Sequence, residues 1–194
     1  MREPSPDKQE AILETALRLF TERGFAGTPT SLISKEAGVA TGTLFFYFKT
    51  KEDLIDTLYR RVKSEAAQEM GRGLDAEKTA KAKLRRLGRN AVGWGLENPA
   101  KLKFMEQFAH SPFVSTSAHE EGMSHFAFLE DLVLQGIRDG EIRDVEPSGL
   151  FCMMASALAG LIAHALSTND EEERRTIIEN GLDFIWFGMK AEGV

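Results

Sequence analysis

The segment GVATGTLFFYFKTKEDL, residues 38–54, places four consecutive aromatic residues directly before a cluster of charged ones. On a helix of 3.6 residues per turn, Leu44 and Phe48 lie four apart on one face, whereas the side chains between them point away from it. We therefore expect Leu44 and Phe48 to anchor a short helix in a core. Thr43, Phe46 and Tyr47 are expected to face outward.

This outward face has the chemistry of a nucleic-acid contact. A helix of about seven residues that presents hydroxyl groups, with the small Gly42 at its start, fits a major groove about 12 Å wide. The neighbouring lysines suit phosphate oxygens, and Lys51 also stands at a helix N-terminus, where free N–H groups attract anions. The residues alone leave a second interpretation open, in which all four aromatics are core and the lysines are solvated.

Metal and enzyme chemistry find less support in the sequence. His110, His119 and His125 do not follow the HExxH spacing, and the last two point to nearly opposite sides of a helix. The sequence shows no nucleophile elbow and no phosphate-binding glycine loop. We therefore expect a protein that is not an enzyme and that holds neither a metal ion nor a cofactor.

Charge is distributed unevenly along the 194 residues, whose formal net charge is −6. Residues 1–63 carry ten Lys or Arg against nine Asp or Glu, and the remainder carries fourteen against twenty-one. This distribution favours a DNA-facing N-terminal part on an acidic body. The single cysteine, Cys152, cannot form a disulfide within the chain, and the first residues lack an apolar stretch, so we expect a cytoplasmic protein.

The elements that must position the aromatic segment are helices. Apolar spacing predicts a first helix over residues 7–23. Thr28 as an N-cap before Pro29 predicts a second helix, which should run to Ala37. Gly38 then supplies the left-handed residue that ends the second helix.

A turn of about three residues separates the second helix from the third, a length typical of helix-turn-helix units. The third helix is expected from residue 40 or 41 to about residue 47. Thr50, with Asp53 three residues on, forms a capping box that opens a fourth helix. Turn-rich stretches separate the remaining predicted helices, which are Glu77–Glu97, Ala100–Ala109, His119–Asp139, Pro147–Ser167 and Asp170–Lys190. The predicted fold class is all-α, with about nine helices.

Residues 11–59, AILETALRLFTERGFAGTPTSLISKEAGVATGTLFFYFKTKEDLIDTLY, resemble the DNA-binding domain of the TetR family of transcriptional regulators. The resemblance lies in LF…GF at the end of the first helix, in I…EAGV, in GTLF.YF and in K.DL. It implies a three-helix, helix-turn-helix domain at residues 1–50 that binds a double-stranded DNA operator. It also implies a larger helical domain for ligand binding and dimerisation at residues 51–194, with the fourth helix as the link.

By position, the resemblance implies a set of DNA-contacting residues, with the lysine bound to phosphate. These are Thr30, Thr41, Gly42, Thr43, Phe45, Phe46, Tyr47 and Lys51. Two positions depart from the family pattern. Phe45 stands where a tyrosine is usual, so a hydroxyl group that contacts phosphate is missing. Ala40 replaces a usual serine or threonine cap. Both changes weaken particular contacts rather than the resemblance itself.

The segment LFCMMASALAGLIAHAL, residues 150–166, contains seventeen residues without a formal charge. This length falls just short of the roughly 18–20 residues that span a membrane, and no basic flank orients the segment, so we expect no membrane span. Its small residues permit close helix packing, and the TetR resemblance implies dimerisation through the last two helices. The predicted homodimer interface comprises Ala155, Ala159, Gly160, Ala163, Ile178, Leu182 and Ile185.

Aromatic and sulfur-containing side chains are concentrated between residues 94 and 128, as in apolar ligand sites. The predicted pocket residues are Trp94, Phe104, Met105, Phe108, His110 and Phe126. Ordinary core packing is the alternative for each of them.

The favoured function is that of a one-component transcriptional regulator. We expect a homodimer that binds a palindromic operator, represses transcription and is released by a small, hydrophobic inducer molecule. The alternative is a helical ligand carrier or enzyme whose helix-turn-helix is incidental.

Overall fold

The computed structural model describes residues 6–193, which fold into ten α-helices and one 3₁₀ turn, Leu74–Ala76. In chain order the α-helices are α1 (Pro6–Arg23), α2 (Thr30–Glu36), α3 (Thr41–Tyr47), α4 (Lys51–Gly71), α5 (Ala80–Glu97), α6 (Pro99–Phe108), α7 (Thr116–Ser124), α8 (Ala127–Arg138), α9 (Pro147–Leu166) and α10 (Glu171–Met189). Within the described range, extended pairing is confined to an antiparallel bridge between Ile142 and Lys190. The all-α prediction is confirmed.

Local signals place several helix ends as predicted. Gly38 takes a φ of 68°, the left-handed conformation that ends α2. The capping box also forms, because the Thr50 backbone N–H donates to Asp53 Oδ2 at 3.1 Å and the Asp53 N–H donates to Thr50 Oγ1 at 2.9 Å. These short-range contacts fix where α2 ends and α4 begins.

The prediction of a single helix over His119–Asp139 is wrong. α7 ends at Ser124, and α8 begins after Phe126, which is its N-cap. The buried positions Gly122, Phe126 and Leu129 keep helical spacing across the break. Periodicity alone therefore gives no sign of the interruption.

Packing divides the chain into two compact units. The first unit comprises the described residues up to Ser64 together with Pro99–Met123. The second unit comprises Glu65–Asn98 together with the residues from Ser124 onward, so that α4 contributes residues to both. The first unit therefore includes α6 and most of α7. The predicted domain boundary after residue 50 is a functional division and stays a prediction.

The core of the first unit is built around α1. Ile12, Ala16 and Phe20 are buried at the spacing i, i+4 and i+8, which is the inward stripe of an amphipathic helix. α1 packs against α2, α3 and α6. The same helix thus supports both members of the helix-turn-helix pair.

In the second unit, α5 packs against α8, α9 and α10. α8 is closely packed at Gly136, where an added Cβ would lie 2.5 Å from Ile142 Cδ1 and 3.0 Å from Ala80 Cβ. Arg89 of α5 donates to Glu179 of α10 at 2.9 and 3.0 Å, and this hydrogen bonding lowers the pKa of the Glu179 carboxyl. Close side-chain packing at Gly136 and an ion pair between α5 and α10 are therefore among the contacts within the second unit.

Gly136→Ala is expected to lower the free energy of unfolding by about 1–3 kcal/mol, because its methyl group overlaps Ile142 and the Cβ of Ala80. Gly93→Ala in α5 is the matched control, since an added Cβ there has no neighbour within 4 Å. The control should be stabilised by about 0.4–1 kcal/mol through the unfolded state. Denaturant titration of both variants measures the difference. Equal effects would show that the contact at Gly136 relaxes without cost.

Candidate nucleic-acid interface

The turn between α2 and α3 is held by hydrogen bonds. The Val39 N–H donates to the Ser34 carbonyl oxygen at 2.9 Å, which closes the last turn of α2. The Ser34 and Thr41 hydroxyl oxygens lie 3.0 Å apart and share a hydrogen bond across the turn. Ala40 gives α3 no side-chain cap. The hydrogen bond between the Ser34 and Thr41 hydroxyls therefore ties the start of α3 to α2 where a side-chain cap is missing.

Two side chains anchor α3 in the core. Leu44 is fully buried, and Phe48, which directly follows the helix, is 3% exposed. Both therefore occupy the inward face, as predicted from their spacing of four residues. α3 contacts α1 and α2 through this face.

The outward face of α3 differs in part from the prediction. Its exposed residues are Thr41, Gly42, Phe45 and Phe46. Phe45 and Phe46 are 40% and 52% exposed, whereas Thr43 and Tyr47 are half-buried. Tyr47 comes three residues after Leu44 and so lies toward the buried side of the helix. The edge of one ring meets the face of the other between Phe46 and Tyr47, with 5.3 Å between centroids.

The start of α2 also differs from the prediction. Pro29 is the N-cap, and Thr30 is the first helical residue, half-buried. Thr28 does not cap the helix, because its side chain is buried and its hydroxyl donates to the carbonyl oxygens of Leu19 at 3.1 Å and Gly24 at 2.8 Å. Thr28 thus ties the approach to α2 onto the end of α1.

Lys51, the predicted phosphate contact, has partners within the chain. Its ammonium donates to the Phe25 carbonyl oxygen and lies 4.0 Å from the Phe25 ring centroid and 6.0 Å from that of Phe20. Burial lowers the pKa of the Lys51 amine. Lys49, two residues earlier, is exposed. The phosphate role of Lys51 stays a prediction, and Lys49 is a more accessible candidate.

A segment after α6 completes this region, and sequence reasoning missed it. The Phe25 and Phe113 rings stack with 4.4 Å between centroids. The Ser115 backbone N–H donates to Asp56 Oδ1 at 2.9 Å, and the Ser115 hydroxyl donates to Asp56 Oδ2 at 2.5 Å. These contacts join positions far apart in the chain, so they cannot be predicted from local sequence patterns.

Two predicted pocket residues, Phe104 and Phe108, belong to the core of the first unit. Both are buried, and their ring centroids lie 4.8 Å apart. Phe108 also meets Phe20 of α1 at 6.2 Å. Their surroundings match ordinary core packing, the alternative given for them above. A ligand-binding role for them stays a prediction.

The other predicted pocket residues have different environments. Trp94 and Phe126 are buried in the second unit, and in the first unit Met105 is half-buried and His110 is exposed. The exposure of His110 does not match the enclosed polar group that an apolar pocket requires. The remaining members stay predictions.

The predicted dimer residues divide by exposure. Those exposed are Ala155, Gly160 and Ala163, and those half-buried are Ala159, Ile178 and Ile185. Leu182 is instead buried inside its own chain, where its Cδ2 would lie 2.2 Å from a Cβ added at Gly88. Leu182 is therefore reassigned to the core of the second unit.

Large apolar side chains that sequence reasoning missed are exposed on the same two helices. Phe184 and Phe187 of α10 are 76% and 61% exposed, and Met153 of α9 is 72% exposed. Their exposure cannot be predicted from the sequence, because α10 carries apolar residues on more than one side. Periodicity does not show which of these sides packs within the chain. α9 is also the one described helix long and apolar enough to cross a membrane, a property that core helices of soluble proteins share.

Comparisons with known proteins agree with the geometry. A family model described as bacterial regulatory proteins, tetR family, matches residues 12–58. A solved tetR family transcription regulator from Shewanella sp. PV-4 is 30% identical, with a TM-score of 0.88 over 95% of this chain and 99% of that chain. One from Marinobacter aquaeolei VT8 is 25% identical, with a TM-score of 0.85 over 96% and 97% of the two chains.

A regulator from Bacillus subtilis is also similar to this chain in sequence. The fatty acid metabolism regulator protein of Bacillus subtilis (strain 168) is 27% identical over 146 residues, which make up 74% of this chain and 75% of the relative. The similarity therefore extends well beyond the helix-turn-helix.

Lys49→Gln is expected to lower the slope of log affinity against log salt concentration by about one, because one phosphate contact releases about one counterion. Lys51→Gln should leave that slope unchanged and lower the free energy of unfolding by about 1–2 kcal/mol, since its ammonium is committed to Phe25. Fluorescence anisotropy with a duplex from upstream of the gene, at several salt concentrations, measures the slope. A reduced slope for Lys51→Gln would assign the phosphate contact to Lys51.

Proposed function

Because the chain belongs to the TetR family of transcriptional regulators, we propose that it is a one-component repressor that a small molecule releases from a palindromic operator. The observation that carries the proposal is the exposed face of α3, held outward by the burial of Leu44. An α-helix with its side chains is about 10–12 Å across and fits a major groove about 12 Å wide, and the seven residues of α3 extend for about 10 Å at 1.5 Å per residue. Because bacterial operators lie in the cytoplasm, the proposal includes a cytoplasmic location.

The proposed DNA contacts fall into two groups. Thr41, Gly42, Phe45 and Phe46 on the exposed face enter the groove. Thr30, Thr43 and Tyr47, which are half-buried, lie at its margins. Phosphate contacts fix the register of a protein on the duplex, and base contacts specify the sequence.

A homodimer supplies the second recognition helix. Two half-sites lie one helical turn apart, about 34–36 Å, and one chain carries a single helix-turn-helix. α10 presents the large apolar side chains of Phe184 and Phe187 to solvent, and the small residue Gly160 is exposed on α9. An exposed apolar patch of this kind is typical of a protein interface, and a two-fold pairing buries the same patch on both copies.

The proposed ligand is a long-chain acyl compound. The Bacillus subtilis relative is named a regulator of fatty acid metabolism. An acyl chain also has the apolar character expected of a site built from aromatic side chains, such as Trp94 and Phe126. Such a ligand releases DNA only if it prefers a conformation that binds the operator poorly.

Gly160→Phe is expected to convert the dimer to monomers and to abolish operator binding. A Cβ added at Gly160 has no neighbour within 4 Å, so the chain itself should fold normally. Glu130→Phe, on an exposed position of α8, is the control that adds the same ring away from the proposed interface. Sedimentation velocity and circular dichroism measure assembly and helicity. A dimeric Gly160→Phe variant would place the interface elsewhere.

Fatty acids of increasing chain length, and their coenzyme A thioesters, are expected to raise the melting temperature once the chain is long enough to fill an apolar site. The same compounds should weaken operator binding by about 5- to 150-fold, the range of typical allosteric coupling. Butyrate is the control that keeps the carboxylate and lacks the tail. A compound that stabilises the protein but leaves DNA affinity unchanged would count against release by that compound.

A further inference from the structure

The recognition helix α3 lacks the side chains that most often read bases. Its sequence, TGTLFFY, contains no Arg, Lys, Asn, Gln, Asp, Glu or His. Guanine is usually read by Arg or Lys, adenine by Asn or Gln, and cytosine by Asp or Glu. Hydrogen-bond readout from this helix is therefore limited to hydroxyl groups and exposed backbone.

The residues that carry these hydroxyl groups are either hydrogen-bonded within the protein or half-buried. Thr41 shares its hydroxyl hydrogen bond with Ser34 at 3.0 Å, inside the helix-turn-helix. Thr43 and Tyr47 are half-buried. What α3 presents most fully is apolar surface.

Phe45 and Phe46 form that surface. Phe46 follows Gly42 by four residues and Phe45 follows it by three, so the three positions share one side of the helix. A Cβ added at Gly42 would have no neighbour within 4 Å, so another molecule has room to approach the backbone there. The two rings are 40% and 52% exposed in the free protein, although the burial of large aromatic side chains is strongly favourable.

We propose that Phe45 and Phe46 determine operator specificity by packing against thymine 5-methyl groups in the major groove. The inference rests on the proposed operator binding and names the chemical feature that this site recognises. Thymine is the one base that offers an apolar group at the major-groove edge, and apolar side chains are its usual partners. Gly42 lets the helix backbone come close enough for both rings to reach the base edges.

The experiment begins with duplexes selected from a random library by the full-length protein. Thymines are expected at fixed positions in both half-sites. Replacing one such thymine by deoxyuridine removes only the methyl group. It should weaken binding by about three- to fivefold, because the complex no longer buries one methyl-sized apolar group. Deoxyuridine placed outside the enriched positions is the control and should have no effect.

Variants assign the effect to the rings. Phe46→Ala and Phe45→Ala should bind the thymine and deoxyuridine duplexes with equal affinity at the position that each ring covers. Phe46→Leu, which keeps an apolar side chain, should retain part of the preference. Phe46 also packs edge-to-face against Tyr47, so its truncation should lower the melting temperature slightly, and the thymine and deoxyuridine duplexes are therefore compared within each variant. A variant that loses affinity equally for both duplexes would have lost general fit and would contradict methyl recognition.

The outcomes separate this inference from the proposed function. Tight, selective binding with no deoxyuridine effect at any enriched position would overturn methyl recognition and leave the regulator function standing. Enriched sites dictated by guanine would do the same. A library that yields no enriched duplex would overturn the proposed function together with this inference.

Discussion

The burial of Leu44 is the contact on which the DNA-binding surface depends. α3 has seven residues, and isolated helices shorter than about 12–15 residues are marginal in water. Ala40 contributes no cap, so propensity and local hydrogen bonds do not hold the helix by themselves. Burying one leucine side chain stabilises a fold by about 1.5–3 kcal/mol. Since Leu44, together with Phe48, also sets the rotation of α3, its burial stabilises the helix and determines which residues the helix exposes.

The exposed aromatic pair follows from that rotation. With Leu44 turned inward, Gly42 and Phe46 lie nearly opposite it, and Phe45 lies to one side. The free protein therefore keeps two large rings in water, where they contribute little to its own stability. Their apolar surface remains available to a partner, and a partner that buries it gains affinity and selectivity from the same contact.

Short-range signals in the sequence predicted the helix-turn-helix well. Gly38 and the capping box of Thr50 and Asp53 act within a few residues, so their effects are visible in the sequence. Tyr47 is half-buried, which is less exposure than the outward face predicted for it, and its role in DNA contact stays a prediction. A spacing of three residues from Leu44 already places Tyr47 near the core.

Long-range packing was less accessible to sequence reasoning. Leu182 and Phe184 are both apolar residues of α10, and only the packing of α10 against α5 shows which of them is buried. The aromatic content of residues 94–128 likewise predicted a common pocket. The structure buries Phe104 and Phe108 in the first unit, where Phe108 meets Phe20 of α1, and a ligand-binding role for them stays a prediction. The composition of a segment shows which side chains it carries but not which residues they contact. The position of a ligand site depends on those contacts.

Electrostatics give this protein little long-range attraction to DNA, which makes the short-range surface of α3 more important. The net charge is −6, and three consecutive glutamates, Glu171–Glu173, open α10. In the first unit, Arg18 pairs with Glu36 of α2, and the Lys51 ammonium is bound to Phe25. Salt screens the attraction between exposed charges over about 10 Å, but it has little effect on apolar contact in a groove. Selective binding by such a protein must therefore come mainly from the fit of α3 to base edges, repeated by two-fold symmetry, rather than from attraction to the phosphate backbone.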